Sequence, residues 1–253
     1  MERAGRRLDR DFFARKADAL AVDLIGRVLV RVTDEGERLA GRIVETEAYL
    51  GPEDKAAHSA GWRRTPRTEP MFGPPGLSYV FLTYGMHHCF NIVCDREGSP
   101  QAVLIRALQP LEGLETMRRQ RLSHRGDPSR AMPDNYLCSG PARLCQAMAI
   151  DRGLNAVDLT RCERIWLERG SESSSERMEI GNSARIGVAY AEEWADARLR
   201  WFEVGSGHVS RGPEGSGGRR GAADGSGISS PAGPGGGTRT TERAGARPGG
   251  RTR

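Results

Sequence analysis

The chain has 253 residues, with 38 Lys and Arg against 33 Asp and Glu, a formal charge of +5, and 37% hydrophobic residues. That length suits one large domain or two small ones, and no apolar run is long enough to span a bilayer as a helix. Five cysteines (Cys89, Cys94, Cys138, Cys145 and Cys162) show no CxxC spacing, which argues against a disulfide framework or zinc site and for reduced, cytoplasmic thiols.

From the N-terminus, MERAGRRLDRDFFARKADAL lacks the apolar stretch and small-residue cleavage site of a secretory signal. Phe13, Ala17, Leu20 and Leu24 recur at helical spacing, and Gly26 closes that run as a C-cap residue. Strand patterns follow at 27–33, 39–49, 77–83, 88–94 and 101–108. Helices are predicted over 111–121 and 140–149, the second with Ser139 as N-cap and Pro141 in its first turn. Residues 170–183 read as an exposed loop, and short strands at 163–168, 184–190 and 199–204 complete the body. Strands in succession, not alternating with helices, predict an α+β fold: a single compact domain with a curved, mostly antiparallel sheet and flanking helices.

Residues 212–253 differ in composition: 14 of the 42 are Gly, and seven Arg against three acidic residues carry +4 of the chain's +5. Such a segment is expected to be a disordered tail, because it cannot bury enough apolar surface to offset its ordering entropy. It either adds a salt-sensitive hold on polyanions or is a solvated extension. The predicted organisation is a folded domain at 8–211 and a low-complexity tail at 212–253. The body carries only +1, so any nucleic-acid footprint must come from local clustering.

The chemistry concentrates in GRIVETEAYLGPEDKAAHS, residues 41–59. Alternation along a strand puts Glu45, Glu47 and Tyr49 on one side, with His58 in a loop able to fold over it. Glu47 is the candidate general base; the alternatives are a solvated sheet face or a carboxylate pair for glycoside chemistry. Arg106, inside AVLIRALQP, must be paired or face a polar cavity, and a carboxylate such as Glu47 is a suitable partner. Tyr49, Phe81, Tyr84 and His58 offer flat rings for a planar ligand such as a base, or plain core packing. In FLTYGMHHCFN, Gly85 permits a tight turn, which would put Tyr84, Met86 or His87 at a hairpin tip, as in minor-groove wedges. Arg63-Arg64-Thr65-Pro66-Arg67 and Arg118-Arg119-Gln120-Arg121 supply positive charge expected beside the site, for solvent or for phosphates.

Together these residues resemble the alkyladenine (3-methylpurine) DNA glycosylase family of base-excision repair, over about residues 8–211. The resemblance rests on ETEAYLGPEDKAAHS, YVFLTYGMHHCFNIV, VLIRALQPLEGLETMR, LCSGPARLCQAMAI and the closing HVSR. It implies a cofactor-free, metal-free monomer that flips damaged purines out of double-stranded DNA and hydrolyses the N-glycosidic bond, in a bacterial-type cytoplasm at the nucleoid. By residue, it implies that Glu47 activates the water and that Arg106 holds water and carboxylate, with a backbone carbonyl near Ile186. Tyr49, His58, Phe81 and Asn91 would form the base pocket, Asn91 excluding the guanine amine. Tyr84, with Met86 and His87, would fill the gap in the duplex, and Arg63, Arg64 and Thr65 would touch the backbone. Phe81 departs from a Tyr known in the family, which bears on base preference. No lysine is placed at the reacting centre to form a Schiff base, so a monofunctional hydrolase is expected. Competing readings are a metal-dependent hydrolase using Glu45, Glu47, His58 and His88, a non-enzymatic binder of damaged DNA, and an RNA-binding module, for which RNP and KH signatures are lacking.

Overall fold

The computed structural model describes residues 5–124, 132–170 and 178–210. The predicted tail at 212–253 and part of the predicted loop at 170–183 lie outside the described residues. The strands are β1 Val28–Val32, β2 Arg38–Tyr49, β3 Ser78–Thr83, β4 His87–Cys94, β5 Gln101–Glu112, β6 Ile165–Glu168, β7 Ile180–Ser183 and β8 Arg200–Glu203. The helices are α1 Arg10–Phe13, α2 Ala17–Leu24, α3 Leu114–Ser123 and α4 Pro141–Ala147. None of these is long and apolar enough to cross a membrane.

The sheet is antiparallel in every named pairing and runs β3-β4-β5-β2-β1-β6, with β8 added to β2 and β7 to β8. The twelve-residue β2 is its centre. One edge of β2 pairs with β5 throughout; the other pairs with β1 over Arg38–Arg42 and with β8 over Glu45–Glu47. The α+β prediction holds.

Alternation sorts the middle strands into two faces. Ala48 of β2, Val80 of β3, Phe90 and Ile92 of β4, and Val103 and Ile105 of β5 join Leu20 and Leu24 of α2 and Leu144 of α4 in one buried core. Burying each large side chain contributes about 1.5–3 kcal/mol. The residues between them face the other way: Tyr79, Phe81, Cys89, Asn91, Ala102, Leu104 and Arg106 line a cavity. The same strands thus hold the core on one side and build the site on the other.

Several boundaries differ from the sequence reading. The first helical run is two helices: Asp9 caps α1 by accepting from the Phe12 N–H at 3.1 Å, and Gln101 accepts from the Ala17 N–H at 3.0 Å where α2 begins. Ile25 is the C-cap of α2, and Gly26 follows it at φ 85°. Strand β5 continues to Glu112, which delays α3 to Leu114. Gly140, not Ser139, is the N-cap of α4, and the Ser139 Oγ accepts from Arg143 at 3.2 Å. The strand predicted at 184–190 is absent; the strand is β7 at Ile180–Ser183, inside the segment read as a loop. The apolar alternation of Ile186 and Val188 arises because both face the cavity, across Gly187 at φ 81°.

Candidate active site

Beneath the cavity lie two carboxylates and two arginines that are almost entirely buried: Glu45 0%, Glu47 0%, Arg106 6% and Arg200 3% exposed. The register between β2 and β5 shifts on both sides of Glu45, passing over Val44 and Arg106. Such irregularities re-aim side chains, and here Arg106 reaches both acids.

Each carboxylate meets only donors. Glu47 Oε1 accepts from the Ile186 backbone N–H at 2.7 Å. Its Oε2 accepts from the Tyr49 hydroxyl at 3.0 Å and faces Arg106 Nη1 at 3.2 Å. Glu45 Oε1 accepts from Arg106 Nε at 3.0 Å, Arg200 Nε at 2.7 Å and Ser210 Oγ at 2.8 Å, and its Oε2 from the Ser210 N–H at 2.7 Å. Burial lowers the Arg106 pKa, but Glu47 and Glu45 outweigh it and hold it above the ordinary arginine value. Burial, then the Glu47 charge, pushes the Tyr49 phenol well above its usual range, so it stays a neutral donor. Behind Tyr49 a third pair is fully buried: Arg185 donates to Asp54 at 2.5 and 2.9 Å and sits 4.9 Å from the Tyr49 ring centroid.

The cavity above encloses about 310 Å³. That volume is in the range for a small planar ligand. Tyr49, His58, Phe81 and Asn91 all line it, and Tyr84 stands at its mouth. Glu47 is not in the lining itself; it lies directly behind Tyr49, Arg106 and Ile186, which are. The His58 ring packs edge-on to Phe81 at 4.5 Å between centroids, and its Nδ1 is 2.8 Å from the Tyr79 hydroxyl. Arg67 Nη2, which can only donate, is 3.4 Å from Nε2. That assigns the proton to Nδ1, donating to Tyr79. Burial, then Arg67 and Arg63, lowers the His58 pKa to about 4, so the imidazole is neutral at physiological pH. Asn91 Nδ2 donates to the Tyr79 carbonyl at 3.0 Å, which fixes the amide.

Tyr84 and Gly85 turn the β3–β4 hairpin with φ of 50° and 68°, closed by the Met86 N–H on the Thr83 carbonyl at 3.1 Å. Positive φ at both central positions suits the twist of a hairpin. Tyr84 and Met86 project at its tip, 88% and 70% exposed. His87 does not: it is the first residue of β4, half-buried, with Nδ1 buried and unpartnered. Arg63 and Thr65 line a second cavity that shares Ala56, His58 and Tyr190 with the first. Arg64 is instead committed to Glu69 at 2.6 Å and lies over Phe72. The second arginine run is not beside the site: Arg118 pairs with Glu115 and Asp134, Arg119 with Glu37, and Arg121 is buried on α3.

The sequence reading missed Tyr79, which shares the Phe81 face two residues away, a spacing that could have revealed it. It also missed Arg200, Ser210 and the Asp54–Arg185 pair, for which no local pattern exists. Near Ile186 it expected a backbone carbonyl to help hold the water; what the structure adds there is the Ile186 N–H, which donates to Glu47 at 2.7 Å. The metal reading loses its ligands: among the described residues, no group of three His, Cys, Asp or Glu is arranged to hold an ion. Lys55 does stand in the 45–59 stretch, but it lines the second cavity and pairs with Glu192 at 2.6 Å and Glu193 at 2.9 Å.

Comparison with known proteins adds a family. Residues 11–206 match the model of the methylpurine-DNA glycosylase family. The Homo sapiens DNA-3-methyladenine glycosylase is 51% identical over 205 residues, covering 81% of this chain and 68% of the human one. The Mus musculus protein of the same name is 50% identical over 205 residues, and the match spans 61% of its length. A Desulfitobacterium hafniense relative is 46% identical over 208 residues, covering 98% of its own length. With its site geometry and this match over most of its length, the chain belongs to the methylpurine-DNA glycosylase family.

Proposed function

We propose that this protein is a base-excision-repair DNA glycosylase that flips damaged purines into the cavity and hydrolyses their N-glycosidic bond, leaving an abasic site. The observation that carries the reading is the Glu47 carboxylate, oriented by Ile186, Tyr49 and Arg106 directly behind an aromatic cavity of base size. Glycosidic cleavage builds positive charge on the sugar, and a carboxylate held at that point both stabilises it and takes a proton from the attacking water. The leaving purine carries away the bond electrons. A purine alkylated at N3 or N7 is already cationic, which eases its departure and favours stacking on Tyr49 and Phe81.

The pocket residues are proposed to act by shape and hydrogen bonding. Tyr49 on one side and His58 with Phe81 on the other enclose the base, and Asn91 opposes the guanine amine. Tyr84, with Met86, occupies the space left by the flipped nucleotide, and Arg63 and Thr65 meet the backbone. The enzyme is monofunctional: an imine route needs a neutral amine, and the hydrogen bonds that Lys55 donates to Glu192 and Glu193 raise its pKa. The reading includes a folded unit at 8–211 acting as a monomer, without metal or organic cofactor, in the cytoplasm at the nucleoid.

The test is single-turnover base release from duplexes carrying hypoxanthine, ethenoadenine or methylated purines, with and without chelator. Release that survives the chelator and yields intact abasic strands supports the reading. No release from any lesion, with lesion-selective binding intact, would leave a binder of damaged DNA, and strand cleavage would refute the monofunctional assignment.

A further inference from the structure

Two aromatic residues combine high exposure with a left-handed backbone. One is Tyr84, whose place at the hairpin tip the proposed function already uses. The other is Trp62, 64% exposed at φ 63°. A left-handed backbone is unfavourable for a non-glycine residue. Trp62 makes no side-chain hydrogen bond or ring contact with a described residue, and its neighbour Gly61 has open space beside it. The loop Ala60–Trp62 therefore presents most of the indole to solvent.

The chain on either side of that indole borders a basic groove next to the base cavity. Arg63 follows directly. Ala60 and Arg63 line the second cavity, of about 290 Å³, together with Lys55, Thr65 and Arg67. That groove shares Ala56, His58 and Tyr190 with the base cavity, so the two lie side by side. Among the described residues Arg63 and Arg67 have no carboxylate partner, whereas their neighbour Arg64 does. Unpaired guanidinium groups beside an exposed aromatic ring suit a polyanion that also presents flat, apolar faces, which is nucleic acid.

We propose that Trp62 is a second aromatic DNA contact, packing on a base or sugar of the duplex beside the extruded nucleotide while Arg63 and Arg67 meet the adjoining phosphates. This rests on the DNA reading above. It separates two aromatic roles: Tyr84 fills the gap left by the flipped nucleotide, and Trp62 holds the flanking strand.

The test compares wild type, Trp62→Gly and Trp62→Phe for binding to a duplex with a tetrahydrofuran abasic analogue, which cannot react, and to the undamaged duplex. Affinity and intrinsic fluorescence are both read. Glycine is favoured at φ 63°, so Trp62→Gly should melt at or above the wild-type temperature; Trp62→Asn, which tolerates this backbone, is the second variant if it does not. The expected result is a roughly tenfold weaker Kd for Trp62→Gly, near wild-type affinity for Trp62→Phe, and loss of the DNA-induced quenching. Unchanged affinity and quenching in Trp62→Gly would overturn the inference while leaving the glycosylase reading intact. Wild type that binds neither duplex would overturn the DNA reading and the inference with it.

Discussion

At the floor of the site Glu45, Glu47, Arg106 and Arg200 are at most 6% exposed, whereas Tyr84 and Tyr190 at its mouth, Met86 on the same hairpin and Trp62 on the loop before the neighbouring groove are 64–88% exposed. Globular proteins place these residue types the other way round. The floor tolerates burial because its charges alternate in sign and every carboxylate oxygen meets a donor. The rim tolerates exposure because its side chains stand on turns that leave the core untouched. A buried charge can be aimed to a fraction of an ångström where water cannot screen it, while an exposed ring is free to enter a partner. The floor is therefore the place for chemistry and the rim for recognition, and substitutions should split accordingly.

The largest effect is expected for Glu47→Gln. It keeps the shape and removes the charge, so single-turnover base release should fall by on the order of 10²–10⁴-fold. Binding to abasic-analogue DNA should stay within about threefold; equal loss of binding and rate would erase the division between floor and rim. Glu45→Gln comes next. Glu45 does not touch the cavity, but it holds Arg106 and ties Ser210 to the floor. Breaking a buried ion network by removing one partner costs about 3–5 kcal/mol, so a marked drop in melting temperature is expected. If Glu45 positions Arg106, the folded variant should also lose about tenfold in rate with unchanged DNA affinity. A variant that melts early but cleaves at the wild-type rate would make Glu45 purely structural.

Tyr84→Ala should do the reverse. Because the side chain is 88% exposed, stability should change by less than about 0.5 kcal/mol. Base release from a fully paired duplex should fall by about tenfold, and by less when the lesion sits in a mismatch, where extrusion is easier. An equal fall in both contexts would count against the gap-filling role.

The smallest effect is pH-dependent and sits between the two regions. Burial and the neighbouring Arg67 and Arg63 lower the His58 pKa to about 4 from 6.5. The unfolded chain therefore takes up this proton first. The stability associated with neutral His58 is complete above about pH 6.5 and is lost as pH falls from there through 4. Denaturant midpoints measured across that range should flatten in His58→Gln; an identical slope would mean that other groups govern acid unfolding.

Much of this was readable in advance because period-2 alternation is a local property. It brought Glu45, Glu47 and Tyr49 to one side of β2, whereas Asn91 was legible only through the family resemblance. It failed at 184–190, where Ile186 and Val188 alternate as a strand does but belong to a loop whose N–H groups and side chains serve the cavity. Reading charge runs also put Arg118, Arg119 and Arg121 beside the site, when Arg118 and Arg119 pair with carboxylates elsewhere and Arg121 turns to Gln146.

The sequence by itself determined the α+β class, the central strand with its two acids, the hairpin with an exposed tyrosine, and the family. These follow from spacing, turn residues and ordered motifs within a few dozen positions. Only the tertiary structure decided which carboxylate faces the cavity wall and which anchors the arginine, that Arg200 and Ser210 complete the floor, and that Tyr79 sets the His58 proton. Those contacts join residues 21 to 165 positions apart. Their geometry depends on a register shift between β2 and β5, and no local pattern encodes how two distant strands slip against each other.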